Sequence, residues 1–287
     1  MEPIMRKIFL AGAAMVLAGV GAAGAADVLP PPIIDAPIYE SPVSHPVESS
    51  GGWYLRGDVG YSWNKLRGVD FLQGGLGTYA PFTTAALRTS YSIGGGVGYQ
   101  INQRLRTDVT LDYFSKAKFR GSTTGSCGVA TACTSTDLSG ISGFGLLANA
   151  YVDLYKKGRF TFYAGAGVGG THVKWDDLNN TSCQTGNSSN CDPSFNHGGA
   201  KGWRFTYALM AGASVDITCN LKGDVGYRYR NMASGAMFKS LTSQGYQGYH
   251  KSISSHEVRG GLRYGFGGCA EQEVYIEPAP IMPAVYK

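Results

Sequence analysis

From Trp53 to Trp63 the chain reads WYLRGDVGYSW, with apolar or small residues at the odd positions and Tyr54, Arg56 and Asp58 at even ones. A period of two is the signature of a β-strand, whose side chains alternate between faces. The pattern recurs. Near 202–217, Trp203, Phe205, Tyr207, Leu209, Ala211, Ala213, Val215 and Ile217 share one face, and Arg204, Thr206, Ser214 and Asp216 the other. Near 221–232, Leu221, Val225, Tyr227 and Tyr229 oppose Lys222, Asp224, Arg228 and Arg230. Near 255–266, Val258, Leu262, Tyr264 and Phe266 oppose Glu257, Arg259 and Arg263. With segments near 52–63, 90–101, 104–119, 140–154 and 160–175, the pattern predicts eight strands.

The connections alternate strictly between short and long. Asn102 and Gln103, Tyr155–Arg159 and Thr218–Asn220 are the short breaks, and the remaining four are long. A soluble β-sandwich has no reason to sort its loops this way, whereas an up-and-down transmembrane barrel has tight turns at one rim and long loops at the other. The fold expected is therefore all-β: an eight-stranded antiparallel up-and-down transmembrane β-barrel. Its apolar face meets lipid. Ten residues separate Trp53 from Trp63, which at ~3.3 Å per residue and ~40° of tilt spans about 25 Å along the membrane normal, roughly the height of an outer-membrane apolar band. The expected aromatic girdle comprises Trp63, Trp175 and Trp203 at the outer rim and Trp53 and Phe266, with Tyr99 and Phe160, at the inner rim.

The charges then face inward. An eight-stranded lumen is only wide enough to be filled by side chains, and charges buried there must be paired. Both signs are present: Arg56, Arg106, Arg204, Lys222, Arg228, Arg230, Arg259 and Arg263 against Asp58, Asp108, Asp112, Asp216, Asp224 and Glu257, with Asp153. The expectation is a salt-bridged, largely plugged lumen, with a narrow conducting pore as the lesser alternative.

Composition agrees. Charged residues make up 16% of the 287, and there are 42 Gly, 18 Tyr, 12 Phe and 4 Trp, a balance that suits many short strands and few helices. The start of the chain has Arg6 and Lys7 before an apolar, Ala- and Gly-rich run ending at Ala26, the pattern of a secretory signal peptide over 1–26. A transmembrane anchor fits less well, because stop-transfer charges do not flank the run. No Cys directly follows it to carry a lipid. Without 1–26 the chain has 23 basic and 19 acidic residues, too mild an excess to argue for nucleic acid. Residues 27–50 and 267–287 are rich in Pro and read as extended periplasmic tails on either side of a barrel over 51–266.

Six Cys in an exported chain imply disulfides. Cys219 lies in the last short turn and Cys269 beyond the eighth strand, so both fall on the periplasmic side of neighbouring strands and are expected to pair. The other four lie in outer loops. Cys127 with Cys133 and Cys183 with Cys191 are nearest in sequence, and cross-loop pairing stays open. The spacings do not match C-x₂₋₄-C, so a zinc site is not expected.

The residues resemble a known family, the small outer-membrane β-barrel surface proteins of the rhizobial and Brucella type, related to opacity-protein and OmpA-type barrels. The likeness is carried by GAAGAAD at the signal boundary, the Pro-rich lead, GWYLRGDVGYSW, the GAGVG and GDVGYRYR strands and VRGGLRYGF. It covers nearly the whole chain. Relatives of this type end on an aromatic residue read by the barrel-assembly machinery; here the chain continues past Phe266 to Lys287. The resemblance implies a structural, surface-exposed protein of the cell outer membrane. Its partners would be outer-membrane lipid and lipopolysaccharide, the barrel-assembly machinery, and a host or other surface ligand at the loops. It also brings in an adhesin or haemin-binding alternative, in which QGYQGYHK, with Tyr246, Tyr249, His250 and Lys251, would be the contact, since Tyr and His can ligate haem iron. No resident cofactor and no enzyme activity are expected. The weighed exception, a lipid-A-modifying barrel, would need Ser255, His256 and Glu257 to act together, but neighbours on a strand point to opposite faces, and His172 has no Ser near it on its own face.

Overall fold

The computed structural model describes residues 51–73, 78–239 and 246–266. Eight long strands carry the architecture: β1 (Gly52–Gln73), β2 (Ser90–Gln100), β3 (Leu105–Ser122), β4 (Cys133–Lys157), β5 (Phe160–Trp175), β6 (Lys201–Asp216), β7 (Leu221–Lys239) and β8 (Tyr246–Gly265). Each pairs antiparallel with its neighbours in sequence. β8 then pairs back onto β1, from Tyr54 opposite Gly265 to Phe71 opposite Gly248. The ring is closed, so the wall has no free edge. Among the described residues no helix is long and apolar enough to cross a membrane.

The short turns at one rim are built from local side-chain acceptors. Asn102 Oδ1 accepts the amides of Arg104 and Leu105, and Thr218 Oγ1 those of Asn220 and Leu221. Gly158, at φ 57°, takes the left-handed residue of the β4–β5 turn.

The faces sort by residue parity. Trp53, Leu55, Val59 and Trp63 are exposed, and Tyr54 and Asp58 are buried. Leu209, Val225, Val258 and Leu262 are likewise exposed, while Arg228, Glu257 and Arg259 are buried. An apolar outside around a polar inside is the barrel's answer to lipid. The lumen is so narrow that large side chains on one strand require glycine on the next. A Cβ on Gly98 would strike the Tyr54 ring, and one on Gly165 the Tyr151 ring.

Four strands run further outward than the alternation predicts. β1 continues past Trp63 to Gln73, β4 begins at Cys133, β7 ends at Lys239 and β8 begins at Tyr246. Stretches expected as loops therefore form a β-extension above the membrane. Short strands Leu178–Gln184 and Phe195–His197 add to it beside β4, and Thr84–Leu87 adds beside β3. The extension starts where the alternation changes phase. Gly68, at φ 54°, lets Val69 turn inward after outward Arg67, and a register shift between Phe114 and Ala117 does the same in β3. Above the lipid the outward face meets water, so it loses the apolar residues that betray a strand in sequence.

Candidate functional site

The lumen carries a continuous chain of ion pairs. Arg56 bridges Asp58 at 2.8 Å and Asp108 at 2.9 Å. Asp58 passes on to Arg259 at 3.1 Å, Arg259 to Asp112 at 3.0 Å, Asp112 to Arg228 at 2.7 Å, and Arg228 to Glu257 at 2.7 Å. Neutral donors fill remaining lone pairs: Tyr54 and Asn149 donate to Asp108, and Ser92 to Glu257. In the ring of eight, β3 and β7 stand opposite each other, so the Asp112–Arg228 pair spans the bore. Ion pairs this deep persist only when both partners and their spare lone pairs are matched.

The other inward charges sit around this chain. Arg263 pairs with Asp224 at 3.5 Å and lies over the Tyr54 ring. Arg106 stands 3.7 Å from Asp153, stacked on Tyr151 and Tyr163. Lys222 and Asp216 meet at 2.7 Å at the inner mouth, half exposed. Arg204, near the outer end of β6, donates to the Ala236 carbonyl. Arg230 lies over the Phe114 ring at 5.3 Å, and among the described residues no salt bridge reaches it.

Sequence reasoning missed what lies above the charges. Phe114, Phe119, Ile141, Val173, Trp175, Met232, Phe238 and Ile253 form an apolar cluster inside the outer end of the barrel. Trp175, expected in the lipid girdle, lies instead inside this cluster. Trp175 is 2% exposed and packs edge-on against Phe119 and Phe238 at 5.8 and 5.4 Å. The reason is parity: residue 175 is an odd number of positions from lipid-facing Phe160, so it points the other way. Trp53, Trp63, Trp203 and Phe266 are exposed, at 48–60%. Trp203 packs against Phe144 and His172, and Trp53 against Tyr99.

The QGYQGYHK segment also divides by parity. His250 is 1% exposed and turned inward against Trp175, and among the described residues neither ring nitrogen has a hydrogen-bond partner, so it is no surface ligand for iron. Tyr249 stays outside beside Tyr79, Lys251 is exposed, and the Tyr246 side chain lies outside the described residues. Ser255 and Glu257 face inward, bonded to Asn64 and Arg228, while His256 faces outward against Tyr227, so the three are not brought together.

Disulfides join Cys127 to Cys133 and Cys183 to Cys191. Cys219 is disulfide-bonded, and Cys269, its expected partner, lies outside the described residues.

Comparison with known proteins follows the same outline. Residues 13–266 match the family described as the outer membrane protein beta-barrel domain. An uncharacterized protein of Brucella abortus (strain 2308) is 36% identical over 289 residues, covering 87% of this chain and 95% of its own length. A Rickettsia felis protein named as a candidate adhesin is 28% identical over 241 residues, with 80% and 94% covered. Among solved structures, Neisserial surface protein A gives a TM-score of 0.43 at 17% identity, covering 76% of this chain and all of its own. Outer membrane protein AlkL in lipid bilayers gives 0.43 at 14%, covering 82% and all of its own.

Proposed function

We propose, from the premise that this chain belongs to the outer membrane protein beta-barrel domain family, that it is a closed barrel of the cell outer membrane whose task is surface presentation. In this reading residues 1–26 direct export, 27–50 and 267–287 lie in the periplasm, and the barrel-assembly machinery inserts 51–266 among outer-membrane lipid and lipopolysaccharide. The observation that carries it is the Asp112–Arg228 pair across the bore, with the Trp175 cluster stacked above it. A path for solutes would have to break both the ion pairs and the apolar layer, either of which costs several kcal/mol. What remains for partners is the β-extension outside.

The test is electrical. Refolded barrel in planar lipid bilayers should show no unit conductance steps; reproducible steps with wild-type protein would sink the closed-lumen reading.

A second reading, an adhesin, is favoured by the name of the Rickettsia felis relative and by the disulfide-braced outer loops. Adherence of a deletion strain to host cells, compared with its complemented parent, tests it: equal adherence removes the adhesin role.

A further inference from the structure

The outer loops line a partly open cavity of about 180 Å³. Phe71, Phe82 and Phe238 are among its apolar lining residues, and Ser135, Asp137 and Asn180 are among its polar ones. The first three outer connections all contribute, and the second and third each carry a disulfide. Cys133, tied to Cys127, lines the cavity, and Cys183, tied to Cys191, follows the lining residue Ser182. A wall fixed in advance spares a ligand the cost of ordering it.

Asp137 is the unusual member. It is 1% exposed, and its oxygens accept hydrogen bonds from Ser135 and Asn180. Among the described residues no salt bridge involves it, and no Lys or Arg lines the cavity. The undescribed stretches 74–77 and 240–245 contain neither. His197 does line it and feels the Asp137 carboxylate, which favours its charged form, but burial outweighs this and holds its imidazole below the usual range, and among the described residues its Nδ1 has no hydrogen-bond partner. A buried carboxylate is ordinarily paired with a cation. Among the described residues this one has no salt-bridge partner, and a carboxylate has about four acceptor sites, of which the described bonds use two.

We propose that the cavity is a binding site for a small hydroxylated amine of about the size of one amino sugar. Its ammonium would supply the missing charge to Asp137, its hydroxyls would meet Ser182 and Asn180, and the apolar C–H face of its ring would lie against the phenylalanines. The volume suits one six-membered ring, since a cavity of about 150 Å³ holds benzene. With no cation in its walls, the site disfavours phosphate, sulfate and carboxylate ligands. The inference rests on the reading of these loops as surface-presented, but the ligand test uses purified protein, so its failure leaves that reading intact.

The experiment titrates the refolded, oxidised mature protein in micelles with glucosamine, glucose and glucuronate, followed by ligand-observed NMR. Glucosamine should bind at least tenfold tighter than glucose, and glucuronate should not compete. Asp137→Asn should lower glucosamine to the level of glucose, with folding checked by heat-modifiable gel mobility. Ser182→Phe, which fills the cavity and spares the carboxylate, should abolish binding of glucosamine and serves if Asp137→Asn does not fold. Equal binding of glucosamine and glucose, no binding of any probe, or undiminished glucosamine binding by a folded variant overturns the proposal.

Discussion

Replacing Asp112 by Ala tests the lumen network at the carboxylate that ties Arg228 to Arg259 across the bore. Its two oxygens contact Arg228 at 2.7 Å and Arg259 at 3.0 Å, and all three side chains are at most 9% exposed. With charge centres ~4 Å apart and an effective dielectric of ~20, each contact is worth about 4 kcal/mol. Against the roughly 8 kcal/mol lost, removing the carboxylate recovers its own desolvation cost of several kcal/mol. Arg228 keeps Glu257 and Arg259 keeps Asp58, so neither cation is wholly stranded. The net cost should be about 3–5 kcal/mol, the range for breaking one buried pair. Reversible urea unfolding of the barrel in liposomes measures it. Asp112→Ala combined with Arg228→Met should then cost clearly less than the sum of the single changes, by about 1–3 kcal/mol of coupling. A single-variant loss under 1 kcal/mol, or strict additivity, would show that water or lumen relaxation screens the pair, and the network argument would fail.

Leu209, 54% exposed and mid-strand in β6, should lose ~2–4 kcal/mol on replacement by Arg, because that charge enters the bilayer midplane; the same liposome unfolding reads it, and a neutral outcome would reverse the assignment of faces. Trp175→Ala should cost about 3–5 kcal/mol through the cavity left in the apolar cluster, whereas Trp53→Ala, at a 60% exposed site, should cost far less; equal thermal shifts would contradict the inward placement of Trp175. His250, outside the membrane span, has its imidazole pushed down to about 4, first by burial and then by Arg204. Since that is below the ordinary value of ~6.5, the unfolded chain takes up the proton first, so stability present above pH 6.5 is lost as the pH falls towards 4, by about 2 kcal/mol at pH 5. His250→Leu should abolish that acid-side loss, and an unchanged pH profile would refute it.

How far each feature could be read in advance follows from what sets it. Alternation of two, from Trp53 to Trp63 and again along residues 203–217, is imposed by the pleat and by lipid on one face, both visible one strand at a time. The eight strands, the sorted turns and the inward set of charges were therefore legible in the chain alone. At Trp175 and His250, aromatic or loop-like character points outward, whereas strand parity, the stricter rule, turns both side chains inward. Where lipid ends, the outer face turns polar, and nothing in residues 64–73 or 233–239 distinguishes a continuing strand from a loop; only pairing to β8 settles it. Partner choice in the lumen is likewise invisible in sequence. That Asp112 meets Arg228, 116 positions away, depends on closure of the ring, which puts β3 opposite β7. The same closure gathers Asp137 and Phe71 around one cavity, because contacts across a barrel are set by its circumference and register, and no single strand encodes either.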